Sequence, residues 1–422
     1  MRSLTILFAP ESAYGPTNNC VGIGTRLLGQ GHRVVFAAER SWQGRLEPLG
    51  FTEELIDLAP PAGDGQDPGQ FWKDYINAIA PAFATSTTEQ LSSVIRPIFA
   101  ELIAGVRYSA EQLGEAVART APDVIVEDNV VAFPGLMNTP APFVRIVSCN
   151  PLEVPSPGVA PAFSGLAEGD LDGFAAFREE FERTHGELWA EFDEYVRAQG
   201  APGLPELQFM GRGRANLYVY PAELDYEREL DASWHRLESS VRETEAEIEL
   251  PEGFADGSRP VVYFSLGSLG SADVGLMRRV IDALAETPYD VIVSKGPRHE
   301  EIELGPNMWG AQFVPQTTLL ARADVVITHG GNNTVTESMH FGKPMVLLPL
   351  FWDQYDNAQR VAERGFGRRL ASYEFTADEL RGALGELLAD TALAARCAAS
   401  AQRIRAADGL GRAARVILDA AG

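Results

Sequence analysis

The stretch over residues 325–357, VVITHGGNNTVTESMHFGKPMVLLPLFWDQYDN, constrains the fold more than any other part of the chain. It predicts a buried strand that ends at Thr328, a polar turn, a helix from about Thr334 to Phe341 and a second buried strand. The two glycines of the turn let the backbone approach a ligand, and the helix behind them directs unpaired N–H groups at it. The stretch therefore predicts a βαβ unit that holds a phosphate or diphosphate without a basic residue.

Polar side chains follow this unit at the carboxyl edge of its predicted sheet, where parallel sheets bind ligands. Glu337 lies one turn into the helix, where it can accept hydrogen bonds from a ribose diol. Asp353 and Gln354 end the second strand and can contact a hexose. Each has a structural alternative: Thr334 is a suitable N-cap, and Glu337 is a favourable charge near a helix N-terminus. Phosphate, ribose and hexose partners along one βαβ unit favour a nucleotide-sugar site.

The rest of the chain predicts two α/β domains. A strand over residues 3–9, a helix over residues 18–30 and a strand over residues 33–39 open a doubly wound parallel sheet. A polar, acidic stretch over residues 234–259 predicts a linker. A second strand–helix series follows it. We therefore predict two Rossmann-like domains that face each other across a cleft.

Several further elements are predicted with their bounds. A loop covers residues 63–69 and is followed by a helix over residues 71–80. One strand of the second domain is expected over residues 311–315. The chain should end in helices over residues 377–388 and 391–420.

Composition narrows the class of protein. At 422 residues the chain is too long for one core, and 45% hydrophobic with 22% charged residues is typical of a globular protein. The formal charge of −24 argues against a nucleic-acid partner, which needs a basic surface. No apolar run reaches the roughly 20 residues of a membrane span, and the first residues predict a strand, not a signal peptide. Three widely spaced cysteines favour reduced thiols in a cytoplasm.

Residues 313–357 resemble the donor-binding signature of the family 1 nucleotide-sugar glycosyltransferases. These enzymes have the GT-B fold. Within the family, this chain is similar to the bacterial natural-product or macrolide branch. Order and spacing both match over some 45 residues. The matching positions are Phe313, Pro315, Gln316, His329, Gly330, Gly331, Asn333, Thr334, Glu337, Gly342, Lys343, Pro344, Asp353 and Gln354. Weaker similarity covers most of the chain and includes FSLGS at residues 264–268.

The resemblance implies a role for each of these positions. Phe313 stands where a Trp usually stacks on the base, and Gln316 is expected at the base–ribose end. Glu337 is expected to bind the ribose. Asp353 and Gln354 are expected at the sugar hydroxyls. The diphosphate is expected to be held, without a metal or other cofactor, by His329, Gly331, Asn333 and Thr334, with help from Ser268.

The first βα loop departs from the family pattern. The resemblance implies a His sixteen residues before the His of the Gly-His turn, where it would deprotonate the acceptor hydroxyl. Counting back from His32 reaches Pro16, and no other His is near it in sequence. Asp128, at the end of a later strand, could take the proton itself, as could Glu11 or Glu127. Two alternatives remain open: an acceptor that ionises readily, or a protein that binds a nucleotide sugar without transferring it.

Three other motifs favour packing over chemistry. Asp170-Leu171-Asp172 resembles a metal-binding DxD but opens an acidic helical segment. Gly22-x-Gly24, with Glu39 further on, resembles a dinucleotide fingerprint, yet these glycines lie inside a helix, so a nicotinamide-dependent dehydrogenase is disfavoured. Cys20 and Cys149 lack a nearby His that would support a thiolate.

The sequence thus predicts an inverting, metal-independent glycosyltransferase. It would move a hexose from a UDP- or dTDP-sugar to a small-molecule acceptor, with no nucleic acid or membrane partner, and could form a homodimer. Residues 1–240 would bind the acceptor and residues 241–403 the nucleotide sugar. Residues 404–422 would form the returning helix. The alternative of another class is a catalytically silent nucleotide-sugar-binding protein.

Overall fold

The computed structural model describes residues 2–60, 75, 78–245 and 247–422. The predicted loop over residues 63–69 and most of the predicted helix over residues 71–80 lie outside that set. Within it, two separate parallel sheets form, which confirms the predicted fold class. No helix of the described residues is long and apolar enough to span a membrane.

The first sheet has seven parallel strands in the order β3-β2-β1-β4-β5-β6-β7. The second has six parallel strands in the order β10-β9-β8-β11-β12-β13. The strands are β1 (Thr5–Pro10), β2 (Arg33–Glu39), β3 (Thr52–Ile56), β4 (Val124–Asp128), β5 (Phe143–Val147), β6 (Ala215–Val219), β7 (Trp234–Leu237), β8 (Val261–Ser265), β9 (Asp290–Ser294), β10 (Met308–Ala311), β11 (Val325–Thr328), β12 (Met345–Leu347) and β13 (Gly367–Arg369).

Helices cover both sheets, as doubly wound folds require. Those in the described part of the chain are α1 (Tyr14–Gly29), α2 (Thr87–Gln90), α3 (Arg96–Thr120), α4 (Pro134–Met137), α5 (Leu171–Ala198), α6 (Gly267–Gly270), α7 (Val274–Leu284), α8 (Gln316–Arg322), α9 (Asn332–Phe341), α10 (Gln354–Glu363), α11 (Ala377–Ala389), α12 (Thr391–Ala406) and α13 (Gly409–Ala420).

Several predicted bounds are wrong. The stretch expected to open the linker forms strand β7, and the strand expected over residues 311–315 lies over Met308–Ala311. The helix expected over residues 391–420 is interrupted at Asp408, which adopts a left-handed φ of 47° and caps α13 through Gly411 N–H. The interruption lets α13 leave the second domain and pack its Ala413, Ala414 and Ile417 face into the core of the first.

Each sheet has one point where the strand order reverses, between β1 and β4 and between β8 and β11. Parallel sheets bind ligands at the carboxyl ends of the strands beside such a point. In the first sheet these ends carry Glu11 and Asp128, and in the second they carry Ser268 and the turn at His329. The topology thus places the predicted catalytic and donor-binding residues at the two expected crevices.

Candidate functional site

The turn between β11 and α9 is shaped for close approach by a ligand. Gly330 has a φ of 88°, and a Cβ there would lie 2.9 Å from the carbonyl oxygen of Gln354. The helix begins at Asn332, two residues before the predicted start. Its N-cap is Gly331, with no side-chain cap, so the prediction of Thr334 as N-cap is wrong. The helix N-terminus therefore remains free of a capping side chain and can accept an anion.

His329 fills the space between this turn and the turn after β8. A Cβ at Gly267, whose φ is 72°, would lie 2.7 Å from His329 Cε1, and one at Gly331 would lie 2.5 Å from its Nε2. Burial lowers the pKa of His329 to about 4, so the ring is neutral near pH 7. It can donate a hydrogen bond but brings no charge. Ser268 follows Gly267 in the same turn and is half-buried.

The Gln316 side chain lies between Thr334 and Glu337 and is hydrogen-bonded to both. Gln316 Nε2 donates to Glu337 Oε2 at 2.6 Å and to Thr334 Oγ1 at 3.4 Å. The other carboxylate oxygen, Glu337 Oε1, pairs with Arg242 Nη1 at 2.8 Å, and both side chains are buried. Burial raises the pKa of Glu337, while Arg242 acts to lower it. The sequence prediction missed Arg242, which lies within the acidic linker.

Phe313 lies at the mouth of the cleft and is 46% exposed. Its ring centroid is 5.5 Å from that of Tyr14, which belongs to the first turn of α1 in the other domain. An exposed aromatic face at this position is available as a platform for a base. Its stacking role stays a prediction.

Asp353 and Gln354 are both buried and bonded to backbone amides. Asp353 Oδ2 accepts from Asn150 N–H at 3.0 Å, a bond from the first domain. Gln354 Oε1 accepts from Leu350 N–H at 3.0 Å and Phe351 N–H at 3.2 Å. These contacts hold the end of the donor unit in place, and the expected contacts with sugar hydroxyls stay predictions.

Asp128 and Glu11 are neighbours at the end of the first sheet, where Glu11 N–H donates to the Asp128 carbonyl at 2.7 Å. Burial raises the pKa of Asp128 to about 8 and that of Glu11 to about 7. Glu127 is fully buried in an ion pair with Arg145 at 3.2 Å, which removes it from the candidate bases. A carboxyl that titrates near neutral pH is suited to take up a proton.

Four carboxyls from both domains, three buried and Glu11 half-buried, lie within electrostatic reach of the Cys149 thiol; we call them the cleft carboxylates: Glu11, Asp128, Glu153 and Asp353. Burial chiefly, and these groups in addition, raise the pKa of Cys149 well above its usual value. Burial also raises the pKa of Glu153 to about 8 and that of Asp353 to about 7. The sequence prediction missed Glu153. The thiol is not a thiolate nucleophile, as expected.

Comparison with known proteins shows what this chain is similar to. A family model described as "UDP-glucoronosyl and UDP-glucosyl transferase" matches residues 239–396, which include every predicted donor-binding residue. Demethyllactenocin mycarosyltransferase of Streptomyces fradiae is 25% identical over 99% of this chain and 86% of its own length. NDP-glycosyltransferase YjiC of Bacillus subtilis is 28% identical over 96% of this chain and 94% of its own.

Solved structures agree on the fold. The glycotransferase of kitacinnamycin superposes with a TM-score of 0.70 at 23% identity, over 99% of both chains. Glycosyltransferase VinC, solved in complex with dTDP, has a TM-score of 0.65 at 20% identity, over 99% of this chain and 100% of its own. The chain is a glycosyltransferase and is similar to family 1.

In this glycosyltransferase, the motifs that resemble a metal site and a dinucleotide site have structural roles. Asp170 caps α5 by accepting from Gly173 N–H at 3.0 Å. Gly22 and Gly24 allow close helix packing, because a Cβ would lie 2.7 Å from the Ser240 carbonyl oxygen and 3.0 Å from the Phe51 ring, respectively. No group of three or more potential ligands among the described residues could hold a metal ion.

Asparagines join the two domains of the glycosyltransferase across the cleft. Asn332 Nδ2 donates to the carbonyl oxygens of Ser148 at 2.7 Å and Val219 at 3.0 Å. Asn19 Nδ2 donates to Asn333 Oδ1 at 2.8 Å, and Asn150 Nδ2 donates to Asn357 Oδ1 at the same distance. The first turn of α9 is therefore bonded directly to the first domain. The sequence prediction missed these bonds between the domains.

Proposed function

We propose that this glycosyltransferase moves a hexose from a UDP- or dTDP-sugar to a small-molecule acceptor with inversion at the anomeric carbon. One observation carries the proposal. The uncapped N-terminus of α9 and the buried Asp128 carboxyl belong to the two sheet crevices that face each other, one suited to an anion and the other to a proton. Residues 1–240 bind the acceptor, residues 241–403 bind the donor, and residues 404–422 brace the first domain.

The donor is held by neutral donors and dipoles. The N–H groups of Gly331, Asn333 and Thr334 and the neutral His329 ring, with Ser268, take the diphosphate. A contact with a helix dipole contributes about 0.3–1 kcal/mol, or up to roughly 2 kcal/mol when partly buried. Gln316 and Glu337 take the ribose, Phe313 the base, and Asp353 with Gln354 the sugar hydroxyls. No cofactor takes part, because charge on the departing diphosphate is stabilised by the helix end.

Asp128 replaces the usual histidine base, since Pro16 occupies its position in the first turn of α1. The acceptor O–H proton passes to the Asp128 carboxylate while the acceptor oxygen bonds to the anomeric carbon. The bond from that carbon to the diphosphate oxygen breaks in the same step, and its electrons leave with the diphosphate. A positioned base contributes typically 10²–10⁴-fold in rate. Glu11 is the second candidate for this role.

A donor and acceptor panel tests the proposal. The panel contains UDP- and dTDP-hexoses, the latter because relatives of the same fold were solved with dTDP. Phenol, amine and alcohol acceptors complete it, and release of nucleoside diphosphate is measured. Turnover that Asp128→Asn lowers by about 10²-fold or more supports both the reaction and the base.

The other outcomes separate the alternatives. Near-normal turnover in Asp128→Asn favours Glu11 or an acceptor that ionises by itself. Binding of the nucleotide with no turnover across the panel favours a silent nucleotide-sugar-binding protein. A higher turnover of alcohol acceptors in Pro16→His would show that the cleft otherwise has the geometry that the missing histidine needs.

A further inference from the structure

A continuous line of hydrogen bonds runs from the donor helix to the candidate base. Asn333, in the first turn of α9, accepts through Oδ1 from Asn19 Nδ2 at 2.8 Å. The same Asn19 nitrogen donates to Ser148 Oγ at 2.8 Å. Ser148 Oγ in turn forms a short hydrogen bond with Asp128 Oδ2. The line crosses from the second domain to the first, and positions 19 and 333 are 314 residues apart in the chain.

The direction of each bond in the line is fixed by donor count. An amide nitrogen has two hydrogens, and Asn19 uses one on Asn333 and one on Ser148. The Ser148 hydroxyl has a single proton, and one of its lone pairs is taken by Asn19. When Asp128 is ionised it can only accept, so that proton goes to Asp128 Oδ2. The carboxylate is turned so that its other oxygen is left for a substrate.

The orientation of Asn19 is itself fixed from the linker. Ser240 Oγ donates to Asn19 Oδ1, which prevents the amide from exchanging its oxygen and nitrogen without losing a bond. Asn19 is 4% exposed and Ser240 and Ser148 are each 5% exposed. Three parts of the enzyme, the linker, the donor helix and the base, thus meet at one buried amide.

We propose that Ser148 and Asn19 are positioning residues that orient the Asp128 carboxylate, and that their arrangement is complete only when the donor domain is closed on the acceptor domain. This inference rests on the proposed function, in which Asp128 is the base. Opening the cleft separates Asn333 from Asn19. Asn19 then loses its bond to Asn333, and its amide no longer holds Ser148 in the orientation that directs the hydroxyl proton at Asp128. The Asp128 carboxylate is therefore oriented only when α9 is in place.

Charged and titratable groups around Asp128 also shift the pKa of its carboxyl. Burial is the largest cause that raises the pKa of Asp128, and the charges of Glu11, just after β1, and Glu127 of β4 raise it further. Arg145 of β5 and Ser148, just after β5, lower it. Cys20 of α1 contacts Asp128 Oδ2 at 3.9 Å, and Cys149 lies nearby. Loss of the Ser148 hydroxyl removes the strongest single interaction that lowers the pKa of Asp128, so that pKa rises further.

The experiment compares pH profiles of kcat/KM for the full enzyme and its Ser148→Ala, Ser148→Thr and Asn19→Ala variants. In Ser148→Ala the acid limb should move up by about one pH unit, the size expected for losing a hydrogen bond to a charged group. Activity at pH 6.5 should then fall about tenfold, and most of it should return at pH 9. Asn19→Ala should move the limb in the same direction, and Ser148→Thr, which keeps the hydroxyl, should restore it.

Two matched variants separate positioning from general damage. Ser109 and Asn307 are also buried and hydrogen-bonded, but to backbone carbonyls of their own domains. Ser109→Ala and Asn307→Ala should leave the limb unmoved. The Kd of UDP or dTDP, measured by calorimetry, should stay within about twofold in the Ser148 and Asn19 variants.

Opposite results would overturn the inference. Superimposable pH profiles would show that the line does not act on the base, and a nucleotide Kd weakened as much as kcat/KM would assign Asn19 to donor binding instead. If the wild type turns over no donor, the proposed function fails separately. The Asp128 carboxyl can then still be titrated by NMR in ¹³C-labelled protein, with Asp128→Asn to assign its signal. An unchanged titration in Ser148→Ala would refute the inference without any turnover.

Discussion

The buried pair of Arg242 and Glu337 offers the sharpest test of how the linker supports the donor site. The two side chains are 9% and 5% exposed and are joined at 2.8 Å, and Arg242 also contacts Glu245. The variant Arg242→Met keeps the apolar stem but leaves a carboxylate buried without its cation. Removing one partner of such a pair costs about 3–5 kcal/mol. We expect the lower end, because Gln316 still donates to Glu337.

A double-mutant cycle isolates the interaction. Glu337→Gln removes the charge, so Arg242→Met/Glu337→Gln should be more stable than the sum of the two single losses predicts, by roughly 1–3 kcal/mol. Urea unfolding is combined with hydrogen exchange of donor-domain peptides, because a two-domain chain need not unfold in one transition. The loss in Arg242→Met should also grow between pH 5 and 8. A buried carboxyl with a raised pKa is tolerated while protonated and destabilises as the pH rises through its folded pKa.

The control is the exposed pair of Arg183 and Glu180, whose side chains are 66% and 26% exposed. Arg183→Met should leave the unfolding behaviour unchanged, because exposed pairs contribute little. The reasoning is refuted if Arg242→Met is no worse than Arg183→Met, or if the two single losses simply add in the double variant.

Three further predictions follow from the site. Gly330→Ala should weaken UDP or dTDP binding roughly tenfold or more in calorimetry, because Cβ at a left-handed φ would press on the Gln354 carbonyl; Gly385→Ala, with nothing within 4 Å, should not, and equal affinities would contradict this. The cleft carboxylates, with pKa values of about 7 to 8, stabilise the fold fully below about pH 4 and lose that contribution progressively up to pH 7 to 8, so the thermal midpoint should fall between about pH 4 and pH 8 and level off above it. Glu153→Gln should flatten that slope, and a midpoint that rises with pH would count against it. Asp170→Ala should keep full turnover, with or without EDTA, and loss of turnover with EDTA would point to a metal.

Edge strands explain most of the errors in the predicted fold. The two sheets end in β3, β7, β10 and β13, and each of these was missed or misplaced. A central strand such as β8 is buried along its whole length and reads as a continuous apolar run. An edge strand pairs on one side only. Every residue of β10 is half-buried, and β7 carries the polar sequence WHRL, so neither shows such a run.

The donor turn could be predicted because its chemistry is local. Its glycines, helix start and following strand lie within one short segment, so their spacing alone indicates a βαβ unit. The contacts that prepare the base are of a different kind. Asn19, Ser148 and Asn333 come from three distant parts of the chain, and only the closed fold brings them together. A polar residue in a loop carries no sign of which remote partner it will meet.

The return of α13 to the first domain has a consequence for how this enzyme is made and recombined. Ala413, Ala414 and Ile417 belong to the same core as β1 and β2, about 400 residues earlier in the chain. During synthesis that core stays incomplete until α13 has left the ribosome, whereas the second domain can already have formed. For the same reason, a chimera that exchanges acceptor domains between relatives should exchange α13 as well. A swap that stops at the linker would pair one protein's core with another protein's helix.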